Sequence, residues 1–347
     1  MTMLSRAKFF GVRTNESSLG DSTAPAAGSH AVVLYEAELK PLSESTSMSR
    51  KPMSGNLSNE TPIPGLMAGS FTCKTYLSGS SAAGTAPPWG VMLIGAGFKQ
   101  TVSAGISVTY APASTVSIGA YSTTATFSGM DGLNIYEWNN DVSGAAAGKL
   151  YKLLGAFGNV KFSWKAGELP TCEYDYKGVY SAPTIVSFPA PTLTAHQAPV
   201  PVLGATCTFD PTGAAAAHTM TLRSLEIDMG TDVKLLPDAN NASGYTSALI
   251  VDRTPTFKMQ LHEPASYTND ATGQNWWTNF SGGVTGALEI GPLGTGAGRI
   301  CNVTMPNVGF KKVDKADADG IVVVDIEGEL ATAAISTGDD EISIAFT

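Results

Sequence analysis

Hydrophobic and polar residues alternate with period two along many short stretches of this 347-residue chain. In "VVLYEAELK", Val33, Tyr35, Ala37 and Leu39 oppose Glu36, Glu38 and Lys40. "FTCKTYL", "VKFSWK", "CEYDYK", "LRSLEIDMG", "TFKMQLH" and "VVVDIEGEL" follow the same rule. Each predicts a strand with one buried face. Two stretches depart from the pattern. After the small residues Ser78–Gly84, Thr85 can cap a helix, and Pro87 and Pro88 suit a first turn, where a missing N–H costs nothing. Trp89, Met92, Leu93 and Ala96 then make one apolar stripe before Gly97, which predicts a helix over 86–96. A second helix is predicted over 271–280, with Trp276 and Phe280 four residues apart.

The order of these elements occurs twice. Residues 33–39, 70–77 and 86–96 give strand, strand and helix, with a polar segment (41–65) between the strands, and strands ending in a hairpin follow. Residues 222–229, 256–262 and 271–280 repeat this order, with a polar segment at 230–248. Between the halves Pro183, Pro189, Pro191, Pro199 and Pro201 mark an extended linker. The expectation is a mainly β chain of two tandem β-sandwich or barrel-like domains, each with one short flanking helix. The expected boundaries are an arm (1–29), a first domain (30–180), a linker (181–203) and a second domain (204–347). One helix covers part of each sheet, so the remaining faces and edges call for a neighbouring subunit.

Composition narrows the chemistry. Only 15% of residues are charged, 37 are glycine and 20 are proline, which suits a turn-rich β-protein. The formal net charge of −9 disfavours a protein that grips nucleic acid. Cys73, Cys172, Cys207 and Cys301 lack metal-type spacing and read as free, buried thiols of a reducing compartment. No stretch has the length and apolarity of a membrane span or a signal peptide. His30, His196, His218 and His262 have no Cys or carboxylate at ligand spacing. "GPLGTGAGR" (291–299) precedes a strand rather than a helix, so it reads as a turn and not a phosphate cradle. Fitting "DKADADG" (314–320) to a calcium loop puts Lys315 and Ile326 where acidic ligands are required. No nucleophile elbow or Walker loop is present. The chain therefore reads as non-catalytic, with no cofactor and no metal.

The segments "VVLYEAELKPLSESTSMSRKPMSGNLS", "YLSGSSAAGTAPPWGVMLIGAGFKQTVSAGISVTYAPAS", "VKFSWKAGELPTCEYDYKGVYSAP", "SLEIDMG" and "IVDRTPTFKMQLHEP" occur in an order that resembles the major tail tube protein of long-tailed (siphophage-type) bacteriophages. The resemblance covers most of residues 30–330. It implies sheets of neighbouring subunits joined into a closed barrel around a DNA-conducting lumen, with the helix on the outer side of each sheet. It also implies a virion tail protein assembled in the host cytoplasm. Its partners would be copies of itself and other tail proteins (tape measure, tail terminator, distal tail), with DNA only in transit and no membrane.

Two tube domains per chain would make the ring a trimer with pseudo-sixfold symmetry. A channel that lets DNA pass without holding it should be acidic or neutral, which nominates Glu36, Glu38, Glu226 and Asp228 for its lining. The 41–65 segment is too long and polar for a turn between adjacent strands. In the family it resembles, this segment reaches the next ring, so Met48, Arg50, Lys51, Met53 and Asn56 are expected at an inter-ring contact. The alternative is a secreted sugar-binding or adhesive β-sandwich that stacks sugars on Trp138 or on Trp276 and Trp277.

Overall fold

Long-range antiparallel pairing dominates the computed structural model, which describes residues 8–14, 24–53, 58–113, 131–140, 147–193, 197–212, 217–263, 275–333 and 338–347. The first half contains β1 (Lys8–Thr14), β2 (Ala31–Val32), β3 (Tyr35–Lys40), β4 (Ser47–Met48), β5 (Ile63–Pro64) and β6 (Ala68–Tyr76). Helix α1 (Val91–Gly95), β7 (Phe98–Ser103), β8 (Ser107–Pro112), β9 (Leu133–Asn139), β10 (Ala147–Lys165) and β11 (Thr171–Ser187) follow. The second half contains β12 (Thr206–Pro211), β13 (His218–Met220), β14 (Leu222–Asp228), β15 (Thr231–Pro237), β16 (Tyr245–Arg253) and β17 (Thr256–His262). It ends with α2 (Trp276–Ser281), β18 (Gly286–Leu293), β19 (Cys301–Ala318), β20 (Ile321–Leu330) and β21 (Ser343–Phe346). The chain is mainly β, in keeping with a β-sandwich.

Eight of these strands form two quartets with the same order. In the first, β6 lies between β3 and β11, and β11 pairs with β10. In the second, β17 lies between β14 and β20, and β20 pairs with β19. The registers agree residue by residue. Lys74 faces Glu173, which faces Lys161; Lys258 faces Glu327, which faces Lys312. Glu38 faces Thr72 as Asp228 faces Thr256. The quartets join where β10 pairs with β14, setting Phe162 opposite Ile227 and Trp164 opposite Leu225. A second bond between the halves is the pairing of β21 with β8.

Alternation explains why these segments are strands. Phe71 and Cys73, Tyr174 and Tyr176, Phe162 and Trp164, Leu225 and Ile227, and Phe257 and Met259 all turn to one buried face. They belong to a single hydrophobic cluster that spans both halves. Helix α1 covers part of this face. Trp89, Met92, Leu93 and Ala96 are buried in the same cluster, and the Tyr176 hydroxyl donates to the Met92 carbonyl.

Several boundaries differ from the sequence reading. The first helical stretch is a 3-10 turn (Pro88–Gly90) running into α1, and its N-cap is Pro87, with no side-chain cap from Thr85. Pro88 brings no N–H to that first turn, which leaves a capping hydroxyl less to satisfy. Gly97, at φ +86°, takes the left-handed conformation that ends the helix. Helix α2 starts at Trp276, where the Asn275 side chain accepts from the Thr278 N–H at 3.1 Å; residues 271–274 lie outside the described residues. Trp276 is buried, but Phe280 is 43% exposed, because the second inward position of this short helix, three residues on, is taken by Asn279. Residues 8–14 of the expected arm are a strand between β9 and β2. Residues 181–187 of the expected linker continue β11.

Trp164→Ala should cost about 3–5 kcal/mol, since it opens a large void at the joint between the quartets. Urea unfolding followed by fluorescence and circular dichroism measures this. Leu42→Ala, on a 51% exposed side chain, should change stability by less than about 0.5 kcal/mol.

Candidate functional site

Opposite the buried face, the eight-strand sheet presents a face of closely spaced charges. Lys74 Nζ lies 2.9 Å from Glu173, Lys161 Nζ 2.9 Å from Asp228, and Lys258 Nζ 3.3 Å from Glu327. Lys312 pairs with Asp314, and Lys311 with Glu329. The face is grooved. One groove is lined by Lys74, Lys161, Ser163, Glu173, Glu226 and Lys258 among others, and crosses the joint between the quartets. A second, lined by Glu36, Lys74, Asn159, Lys161 and Asp175, lies beside it. The registers that put apolar residues inside put these charges on this face, because successive side chains of a strand alternate.

The four acidic candidates all stand on strands of this sheet. Glu36, Glu38 and Glu226 are exposed, whereas Asp228 is half-buried at the joint. Burial alone would raise the Asp228 carboxyl. Hydrogen bonds from Asn159 Nδ2 (2.6 Å), Lys161 Nζ and the Gly230 N–H (3.0 Å) outweigh it and hold the carboxyl below its ordinary value. The same contact holds the Lys161 ammonium above its usual value. Asp175 moves the other way, raised chiefly by burial.

Two edges of the sheet carry no strand among the described residues. The side of β3 away from β6 is one, although Lys8 Nζ reaches over and donates to the Ala37 carbonyl at 3.1 Å. The other lies on β19 beyond Val308, where pairing with β18 stops and only β20 continues alongside. These two edges occupy the positions that β14 and β10 fill at the internal joint.

The 41–65 segment is a narrow hairpin at its base, with β4 paired to β5. Met48 is 57% exposed and Met53 fully so, and Arg50 Nη2 lies 2.8 Å from Glu60 within the same segment. Lys51 is exposed, and Asn56 lies outside the described residues.

Other chemistry is sparse. All four cysteines are free and buried; burial pushes Cys207 and Cys301 up to about 12 and raises Cys73 and Cys172 as well, so none is a thiolate at neutral pH. Among the described residues no group of three His, Cys, Asp or Glu side chains could hold a metal ion, and no helix is long and apolar enough to cross a membrane. Trp138 and Trp276 are buried in the core, and Trp277 is 37% exposed, so these rings do not form a flat stacking surface. The "DKADADG" stretch is the end of β19 and its turn into β20 at Asp319 and Gly320, and Asp317 Oδ1 accepts from the Gly320 N–H at 3.2 Å.

No known family model matches this chain. A search of curated proteins finds no match either. The candidate site is two edges without a partner strand among the described residues, equivalent to a closed internal joint, beside a grooved face of paired charges.

Replacing Asp228 by Asn should lower stability at pH 7 by no more than about 1 kcal/mol, since solvent screens this partly exposed pair. A lowered acid pKa contributes stability that is fully present above the unfolded value near 4 and disappears as pH falls through the folded value. The difference between wild type and Asp228→Asn should therefore shrink below about pH 4, as read from denaturation midpoints across pH.

Proposed function

We propose that this protein is a structural, non-enzymatic subunit that assembles side by side into rings and then into a tube, as tail tube proteins do. What carries the reading is the β10–β14 joint. It is a completed edge-to-edge contact between two quartets of one order, and among the described residues no strand fills the equivalent edges of both quartets. One copy's β19 edge then pairs with the next copy's β3 edge in the same manner. The contact is head-to-tail, so it closes into a ring if the rotation permits. Closure also removes the exposed edges that otherwise invite aggregation.

The quartets are the two tandem tube domains, and three chains supply six of them, giving a trimeric ring with pseudo-sixfold symmetry. Matching Lys161 with Lys312 and Asp228 with Glu38 sets the register across the new contact: Lys312 opposite Glu38, and Val313 opposite Ala37. Lys8 must release the Ala37 carbonyl for the second strand to dock. The charged face lines the lumen. Most of its lysines already hold a carboxylate, so few cations remain to neutralise passing phosphates, and drag on DNA stays low. The apolar face lies outward beneath α1. The product is a conduit for DNA in a virion tail, built in the host cytoplasm and bounded by other tail proteins.

Native mass spectrometry of isolated rings should give three chains of 35.9 kDa each. Six chains per ring would overturn the trimer, and a monomer at every concentration would overturn the assembly. Charge reversal tests the register separately. Glu38→Lys or Lys312→Glu alone should weaken ring formation several-fold, and the double variant should recover most of the loss; a double variant no better than either single one would contradict the pairing.

A further inference from the structure

The 41–67 hairpin has a counterpart inside the same chain. Hairpin β15–β16 leaves after β14 and returns before β17, the place in the second quartet that residues 41–67 hold between β3 and β6 in the first. The packing of β15–β16 runs to β10 and β11 of the first quartet, across the joint. The Thr231 N–H donates to Asn159 Oδ1 at 3.1 Å, and Ser247 Oγ donates to the Gly155 carbonyl at 3.3 Å. Ala248 and Ile250 pack with Phe157 and Ala113. The second quartet's hairpin is thus a closed clasp on the quartet before it.

We infer that the 41–67 hairpin clasps a second copy of this chain within the same ring, lying over β19 and β20 of that neighbour, rather than reaching to the next ring. The inference rests on the side-by-side assembly proposed above. Register identifies the receiving surface. Asn159, which holds the incoming hairpin, faces Asp175; its counterpart Gly309 faces Glu329. A Cβ built on Gly309 meets nothing within 4 Å, so the surface that β15 covers in the first quartet is open in the second. Counting back from the matched Thr72 and Thr256, Ile63 takes the place of Ser247 and Leu66 that of Ile250. Ile250 is 9% exposed. Its counterpart Leu66 is half-buried beside Gly244 of the chain's own second hairpin, where the Met67 N–H donates to the Ser243 carbonyl at 2.8 Å, but Met48 and Ile63 farther along the clasp are 57% and 42% exposed. The second hairpin buries Ala248 and Ile250 on its neighbour, and the first presents Met48 and Ile63 to solvent until a neighbour arrives. On the receiving side the backbone is already strand, and on the clasp β4 pairs with β5.

The test places the photo-crosslinker p-benzoylphenylalanine at Ile63 and maps adducts by peptide mass spectrometry, in isolated rings and in tubes. The expected result is an adduct to residues 305–312 or 327–332 of another chain, already present in rings. Rings that form but yield only within-chain adducts, or adducts that appear only in tubes, overturn the clasp and leave the ring reading standing. Failure of the protein to self-associate at all overturns both. As a second measurement, Met48→Asp with Ile63→Asp should weaken ring formation about tenfold or more while leaving the thermal midpoint of the free subunit unchanged, because both side chains are exposed in it. Unchanged ring affinity in that variant also overturns the clasp.

Discussion

Everything in this chain depends on the antiparallel contact between β10 and β14. It fuses two strand quartets into one sheet and one hydrophobic cluster, with Phe162 and Trp164 meeting Ile227 and Leu225 on the inner side. Each of those side chains contributes about 1.5–3 kcal/mol by leaving water. On the outer side of the same ladder, Lys161 and Asp228 form an ion pair of modest strength. Apolar burial therefore holds the joint, and the charges fix its register. A one-residue slip would turn the tryptophan outward and the lysine inward, which makes the register hard to change.

The same alternation produces the charged face. A strand that buries Phe162 and Trp164 must show Lys161, Ser163 and Lys165 on its other side. Across eight strands this yields a grooved surface on which lysines and carboxylates lie next to one another rather than in separate patches. Such a surface stays hydrated and offers little net attraction to a polyanion. The cysteines are buried with raised pKa values, which keeps their thiols protonated at neutral pH.

Period-two alternation made most strands legible in the sequence, because their faces differ so sharply in polarity. The Trp89–Met92–Leu93–Ala96 stripe was legible for the same reason, being buried against one sheet face. The joint was not. β10 and β14 are separated by more than fifty residues, and no local pattern says which of many alternating strands become neighbours. Pro183 disguised the end of β11 as linker; it sits where the pairing shifts between Lys152–Ser181 and Leu150–Thr184, a bulge that tolerates a residue with no N–H. β1 hid in an N-terminal stretch too short to show its alternation against the surrounding polar residues. Alternation alone placed the four acidic candidates on strands, but Lys74 beside Glu36 and Lys161 beside Asp228 became visible only through the register.

An electron-microscopic reconstruction of the self-assembled particle, computed without imposed symmetry, tests the central claim most directly. The account predicts an unbroken wall of strands in which β3 of each chain is hydrogen-bonded to β19 of the next, with Glu38 beside Lys312 and the charged face turned inward. A particle in which β3 stays unpaired, or in which the apolar face beneath α1 faces the channel, would contradict it.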